Sequence, residues 1–150
     1  MKKIFLFISF LLLISCGYQP LFSTKNSNFL IEEISFNLND KISSKIKNGL
    51  NHLTYTKNYT KIYELKLDSE KIIQTASKDK KGNPLVYKIT INSNLKIFSK
   101  DQLIKKTNIS KSFNYKNISN KFDLKQYEKT IEQTIIDKII EDIILIIYSK

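Results

Sequence analysis

From Phe29 onward the chain alternates between apolar and polar positions, and the period of that alternation changes along it. Ile34, Phe36 and Leu38 alternate with Ser35 and Asn37, a period of two that predicts a half-buried strand over residues 29–38. Asn39 or Asp40 then offers a short polar side chain to the unpartnered N–H groups of a helix's first turn. Ile42, Ile46, Leu50 and Leu53 follow at spacings of four, four and three, with Lys41, Lys45 and Lys47 off that face. This predicts an amphipathic helix over 40–55, ~24 Å long.

A period of two returns at Thr60. Tyr63, Leu65 and Leu67 alternate with Glu64, Lys66 and Asp68, and the strand runs on through Ile72 and Ile73 to about Ser77. Lys78-Asp79-Lys80-Lys81-Gly82-Asn83-Pro84 reads as a hairpin turn, since Gly82 and Asn83 tolerate positive φ and Pro84 has no N–H for a ladder. Leu85, Tyr87, Ile89, Ile91, Leu95 and Ile97 define a third strand. After a turn near Lys100-Asp101-Gln102, a fourth runs from Leu103 to Tyr115, with Thr107, Ile109, Lys111, Phe113 and Tyr115 on one side. A polar stretch from Lys116 to Lys121 breaks the pattern.

Beyond it, Leu124, Tyr127, Ile131, Ile135, Ile139 and Ile143 form a helical stripe that Ile136, Ile140 and Ile147 widen. Glu132, Asp137, Lys138, Glu141 and Asp142 interrupt it at helical spacing, which makes it a core-facing helix rather than a membrane span. The order β-α-β-β-β-α predicts an α+β fold. Two helices cover one face of a four-stranded, mostly antiparallel sheet, because neither layer buries its apolar side alone.

The first residues follow a different logic. Lys2 and Lys3 precede an apolar run from Ile4 to Ile14 broken only by Ser9, the layout of a bacterial export signal. Leu13-Ile14-Ser15-Cys16 fits a lipobox, in which small residues let a signal peptidase cut and the cysteine takes a diacylglyceryl group. The run of about 11 apolar residues is short of the roughly 20 needed to cross a bilayer; an ordinary buried thiol at Cys16 is the other competing reading. The lipobox predicts a signal peptide at 1–15, an acylated linker at 16–28 and a domain at 29–150. Each buried methylene adds roughly 0.8 kcal/mol, so several chains, palmitate among them, make a near-permanent tether. Gly17 stands where Asp would be the usual inner-membrane retention signal, which points to the periplasmic face of the outer membrane.

With its one cysteine lipidated, the chain has no disulfide to rely on, and its length suits a single packed domain. The net charge of +11 comes from 25 basic residues, every one a lysine. AT-rich coding would produce such a bias without selection, while a surplus this large also favours anionic partners. Export, together with the lack of arginine forks and RNA-binding aromatic motifs, argues against nucleic acid and leaves lipid phosphates as the accessible anions.

Catalytic chemistry finds no footing. His52 is the single histidine and lies one residue from the first helix's apolar stripe, as a surface histidine does. Cysteine, histidine and carboxylates show no metal-ligand spacing, no glycine-rich phosphate loop exists, and Glu32-Glu33 and Glu141-Asp142 read as solvated charge. No catalytic residue, metal or cofactor is expected, and the chain reads as a binder. Lys78, Lys80 and Lys81 crown one hairpin, and Lys116 and Lys121 flank the entry to the last helix. If consecutive strands pair, both groups share one end of the sheet and form a candidate site for lipid phosphates. Lysine-rich turns that merely keep edges soluble are the plainer reading.

Cys16-Gly17-Tyr18-Gln19-Pro20-Leu21-Phe22 resembles the Cys-Gly-aromatic-X-Pro-Leu-aromatic opening of the LptE family. The Lys78-Asp79-Lys80-Lys81-Gly82 hairpin is similar too, as is Ser112-Phe113-Asn114-Tyr115 leading into a long terminal helix. Relatives often carry an arginine early in the third strand, where Leu85, Val86, Tyr87 and Lys88 stand here. The resemblance implies a non-enzymatic outer-membrane lipoprotein that plugs and supports the LptD β-barrel and binds lipopolysaccharide during its assembly. It also implies a four-stranded sheet with two helices, acylation at Cys16, and lipid A phosphate contacts at Lys80, Lys81 and Lys121, within the group Lys78, Lys80, Lys81, Lys116 and Lys121. A structural or pilotin-type lipoprotein of another envelope complex, without glycolipid binding, is the alternative.

Overall fold

The computed structural model describes residues 28–55 and 57–149; the leader, the lipobox, Cys16 and nearly all of the expected linker lie outside them. Chain order is β1 (Phe29–Ser35), α1 (Lys41–Leu50), a 3-10 turn (Asn51–Tyr55), β2 (Lys61–Lys78), β3 (Pro84–Ser99), β4 (Gln102–Lys116) and α2 (Lys121–Tyr148). The strands form one sheet in the order β1-β2-β3-β4. β1 runs parallel to β2, and the two remaining pairs are antiparallel. The parallel pair follows from the helix between its strands, since a crossover returns the chain to the end from which it started.

β1 is shorter than its sequence pattern. A register shift between Ile31 and Glu33 turns the strand, and Asn37 then ends it: its carbonyl accepts the Asp40 N–H at 2.8 Å and its side chain the Asn39 N–H at 3.1 Å. Phe36 still packs on the core, whereas Leu38, expected on the buried face, is 95% exposed. The first helix is also shorter than expected. α1 stops at Leu50 and tightens into the 3-10 turn, which keeps Leu53 buried.

Asp40 joins helix to sheet. One carboxylate oxygen caps α1 by accepting the Ser43 N–H at 2.8 Å, and the other accepts the Ser69 N–H of β2 at 2.8 Å. Beneath it, the hydroxyls of Ser43, Ser69 and Ser93 hydrogen-bond in series at 2.8 Å each. Ser43 and Ser93 are wholly buried, so the chain of hydroxyls satisfies polar groups that would otherwise be costly there.

The core lies between the helices and one face of the sheet. Ile42, Ile46 and Leu50 of α1 and Ile135, Ile136, Ile139, Ile143 and Ile147 of α2 meet Ile31, Leu65, Leu67, Ile89, Ile91, Leu95 and Ile97. The helices approach each other closely at Gly49, where an added Cβ would fall 2.3 Å from Ile140 Cδ1. α1 lies against β2, while α2 lies along β3 and β4. β1 pairs only with residues Lys61–Lys66, so β2 from Leu67 onward has no strand on that side among the described residues. Lys71–Lys78 is exposed throughout.

The two hairpins differ in their turns. In the first, Gly82 carries the positive φ of 87°. In the second, Lys100 and Asp101 adopt φ of 50° and 62°, left-handed values that side chains with a Cβ adopt at a steric cost.

Candidate functional site

The antiparallel pairings carry β2 up to the first hairpin, β3 back, and β4 up again, so the β2–β3 turn and the β4–α2 connection occupy one end of the sheet. Val86 pairs with Lys116. Asn117 fastens the connection to the hairpin, with its N–H on the Leu85 carbonyl and its side-chain amide on the Pro84 carbonyl, both at 2.9 Å. The topology therefore brings the two expected lysine groups, Lys78-Lys80-Lys81 and Lys116-Lys121, to a common end. All five are exposed, and none forms an ion pair among the described residues.

The hairpin tip is ordered by Asp79. Its carboxylate accepts the backbone N–H groups of Lys81 and Asn83 at 2.8 Å and the Asn83 amide at 3.0 Å. These bonds, the Asn83 side chain first, hold its carboxyl below the usual carboxylate range. The one acid at the tip thus remains anionic and is turned onto backbone, while Lys80 and Lys81 project outward. On the other side, Asn120 caps α2 by accepting the Phe122 N–H at 3.0 Å, which sets Lys121 in the first turn. Tyr115 donates to Glu128 at 2.7 Å and lies edge-on to Tyr127. Burial pushes the Tyr115 hydroxyl far up, and Glu128 reinforces it.

Other lysines are spent on structure. Glu132 of α2 is buried and receives Lys45 of α1 on one oxygen and Lys71 of β2 on the other, the second at 2.5 Å. Burial pushes the Glu132 carboxyl up, but the hydrogen bonds from Lys45 and Lys71 outweigh it and hold it below its ordinary range. Lys111 pairs with Asp142 at 2.6 Å. His52 is exposed, with Nδ1 2.9 Å from the Gly49 carbonyl.

One cluster escapes a reading of the sequence alone. On the sheet face turned away from the helices, Lys66, Lys96 and Lys106 stand directly opposite one another on β2, β3 and β4. With Phe36, Asn37, Leu67, Asp68 and Asn94 they line a depression of about 490 Å³.

The architecture is shared with small bacterial lipoproteins. The rare lipoprotein B from Shewanella oneidensis superposes with a TM-score of 0.58 at 13% identity, over 78% of this chain and 94% of that one. An uncharacterized lipoprotein B from Nitrosomonas europaea gives 0.60 at 9% identity, over 83% and 88%. A minor lipoprotein from Acinetobacter baumannii gives 0.56 at 14% identity, over 77% and 87%. At these identities the likeness is one of fold. No family model matches the sequence, and no curated protein matches it.

Proposed function

We propose that this chain is an LptE-type lipoprotein, acylated at Cys16 and held at the periplasmic face of the outer membrane. There it seats in an LptD-like β-barrel, supports that barrel, and takes lipopolysaccharide phosphates on the lysines of the hairpin end. The reading rests on one coincidence: a lipobox at Cys16 in a sequence whose domain has the fold of solved lipoproteins.

The dimensions support it. Asn28 lies 12 residues beyond Cys16, a contour length that keeps the β1 end of the domain within ~43 Å of the lipid. β2 is 18 residues long and spans about 60 Å at ordinary strand rise. It sets Lys78, Lys80 and Lys81 at the end of the sheet far from Asn28, with Lys116 and Lys121 beside them. Ammonium groups on flexible stems suit phosphates as point charges, each contact weak in water and stronger where acyl chains exclude solvent. The work is binding and scaffolding, without turnover.

A C-terminally tagged chain, purified from the outer membranes of its own cells, tests this. A large β-barrel is expected to co-purify, and Cys16→Ala or globomycin is expected to release the protein from the membrane. Recovery of lipoprotein alone, with the barrel present in the same membranes, would refute the partner. Unchanged lipopolysaccharide retention by a Lys80→Gln/Lys81→Gln/Lys121→Gln variant would refute the ligand contacts.

A further inference from the structure

We propose that Lys66, Lys96 and Lys106 form a second anion site, on the sheet face not covered by the helices, and that it takes a phosphomonoester group. Residues directly opposite on adjacent strands hold their Cβ atoms about 4.5–5.5 Å apart, and like charges placed so destabilise the pairing. Here three ammonium-bearing side chains occupy one row across three strands. The other paired rows of that face hold at most one lysine: Asp68, Asn94 and Asn108 in one, Glu70, Asn92 and Ser110 in the next, then Gln74, Lys88 and Asn114 further along.

The protein supplies little to neutralise the row. Glu64 and Asp68 flank Lys66 along β2, yet no ion pair joins them to it among the described residues. Glu70 is held by the Asn92 amide at 3.1 Å. Residues 1–27 contain neither Asp nor Glu. At the rim stands the ring of Phe36, whose other contact is the Lys47 ammonium of α1, 5.6 Å from its centroid. Asn94 accepts from Asn108 at 2.9 Å through its carbonyl oxygen, which leaves its own N–H groups as donors.

The number of donors selects the ligand. Each lysine is a point donor rather than a fork, so three of them call for three acceptor oxygens. A phosphomonoester has three terminal oxygens and about −1.5 to −2 charge at neutral pH, whereas a carboxylate has two oxygens and one charge. The twelve residues from Lys66 to Lys78 put the row about 40 Å from the hairpin lysines. It is therefore a separate site, and it stands or falls independently of the barrel reading.

The acylated mature protein in uncharged detergent micelles tests it by thermal melting with inorganic phosphate against sodium chloride of equal ionic strength. At tenfold excess over Kd, phosphate is expected to raise Tm by about 4 °C. Lys96→Gln/Lys106→Gln loses that rise, while Lys96→Arg and Lys80→Gln/Lys81→Gln keep it. Without phosphate, the double glutamine variant melts no lower than the parent, because repulsion has been removed. A larger rise with phosphatidic acid in the micelles than with inorganic phosphate identifies a lipid headgroup as the source; an equal one identifies free phosphate. No rise in the parent, an equal rise in the row variant, loss confined to the hairpin variant, or a row variant that melts lower without phosphate would each overturn the proposal.

Discussion

Replacing Glu132 by Gln keeps the shape of the side chain and removes the charge on which α1, β2 and α2 converge. The carboxylate accepts from Lys45 and Lys71, and a hydrogen bond to a charged group contributes about 1.5–3 kcal/mol when shielded from water. The two lysine side chains are 48% and 37% exposed, so solvent screens both bonds and the lower part of that range applies. The glutamine carbonyl retains one lysine, while its amide N–H groups face the other ammonium. Together these give a loss of about 2 kcal/mol, or roughly 5 °C in Tm. The pH dependence is the sharper test. Because the folded carboxyl is held below its ordinary value of 4.5, its contribution is complete above that value and vanishes as pH falls through the lower folded one. Urea melts followed by far-UV circular dichroism should show the full gap between parent and variant at pH 7 and a smaller one at about pH 2. A gap that is the same at both pH values, or absent at pH 7, would refute the assignment.

Four other changes follow from the packing and the turns. Ser43→Ala interrupts the buried hydroxyl series and should lower stability by about 1–2 kcal/mol in chemical denaturation; Asp40→Ala, which removes both a cap and the tie to Ser69, should lose about as much or more. Gly49→Ala gains helix propensity but meets the Ile140 terminal methyl. Measured in an Ile140→Ala background it should stabilise by up to about 1 kcal/mol, and the smaller gain expected with Ile140 present would appear as coupling in a double-mutant cycle. Rebuilding the β3–β4 turn as Lys100→Asn/Asp101→Gly relieves two left-handed side chains and should raise stability by about 1 kcal/mol, visible as a higher urea midpoint with an unchanged slope.

The fold was legible because the core-facing residues kept one period over their own stretches: 3.6 along one side of α2, two over residues 63–67 of β2 and 89–97 of β3. The errors fell where local chemistry ended an element whose hydrophobic period continued. Asn37 stopped β1 before Leu38, and α1 tightened into a 3-10 turn that kept the next apolar residue, Leu53, inside. The hairpin-end lysines could be placed together from strand order alone. The opposed lysine row depends on register as well as strand order. Pairing Lys78 with Pro84 already puts Lys66 opposite Lys96, but a plain two-residue turn at Lys100–Asp101 would put Lys105, not Lys106, opposite Lys96. The irregularity between Ile97 and Phe98 moves the partner by one residue, so the lysine that completes the row is Lys106 and its neighbour Lys105 turns to the other face. A bulge of that kind leaves no distinct signature in residue types. The Glu132 triad was hidden for a related reason: it depends on how two helices and a strand meet, which no single period encodes.

The contrast between the two hairpin turns bears on the order in which the molecule assembles. The Asp79–Asn83 corner is relaxed, hydrogen-bonded and local, so β2 and β3 find each other early; the Lys100–Asp101 corner must close against its own backbone and gains only once neighbouring strands hold it. β4 should therefore dock late, with α2 closing behind it, and a looser corner at 100–101 should slow escape from the native state more than it accelerates the search for it.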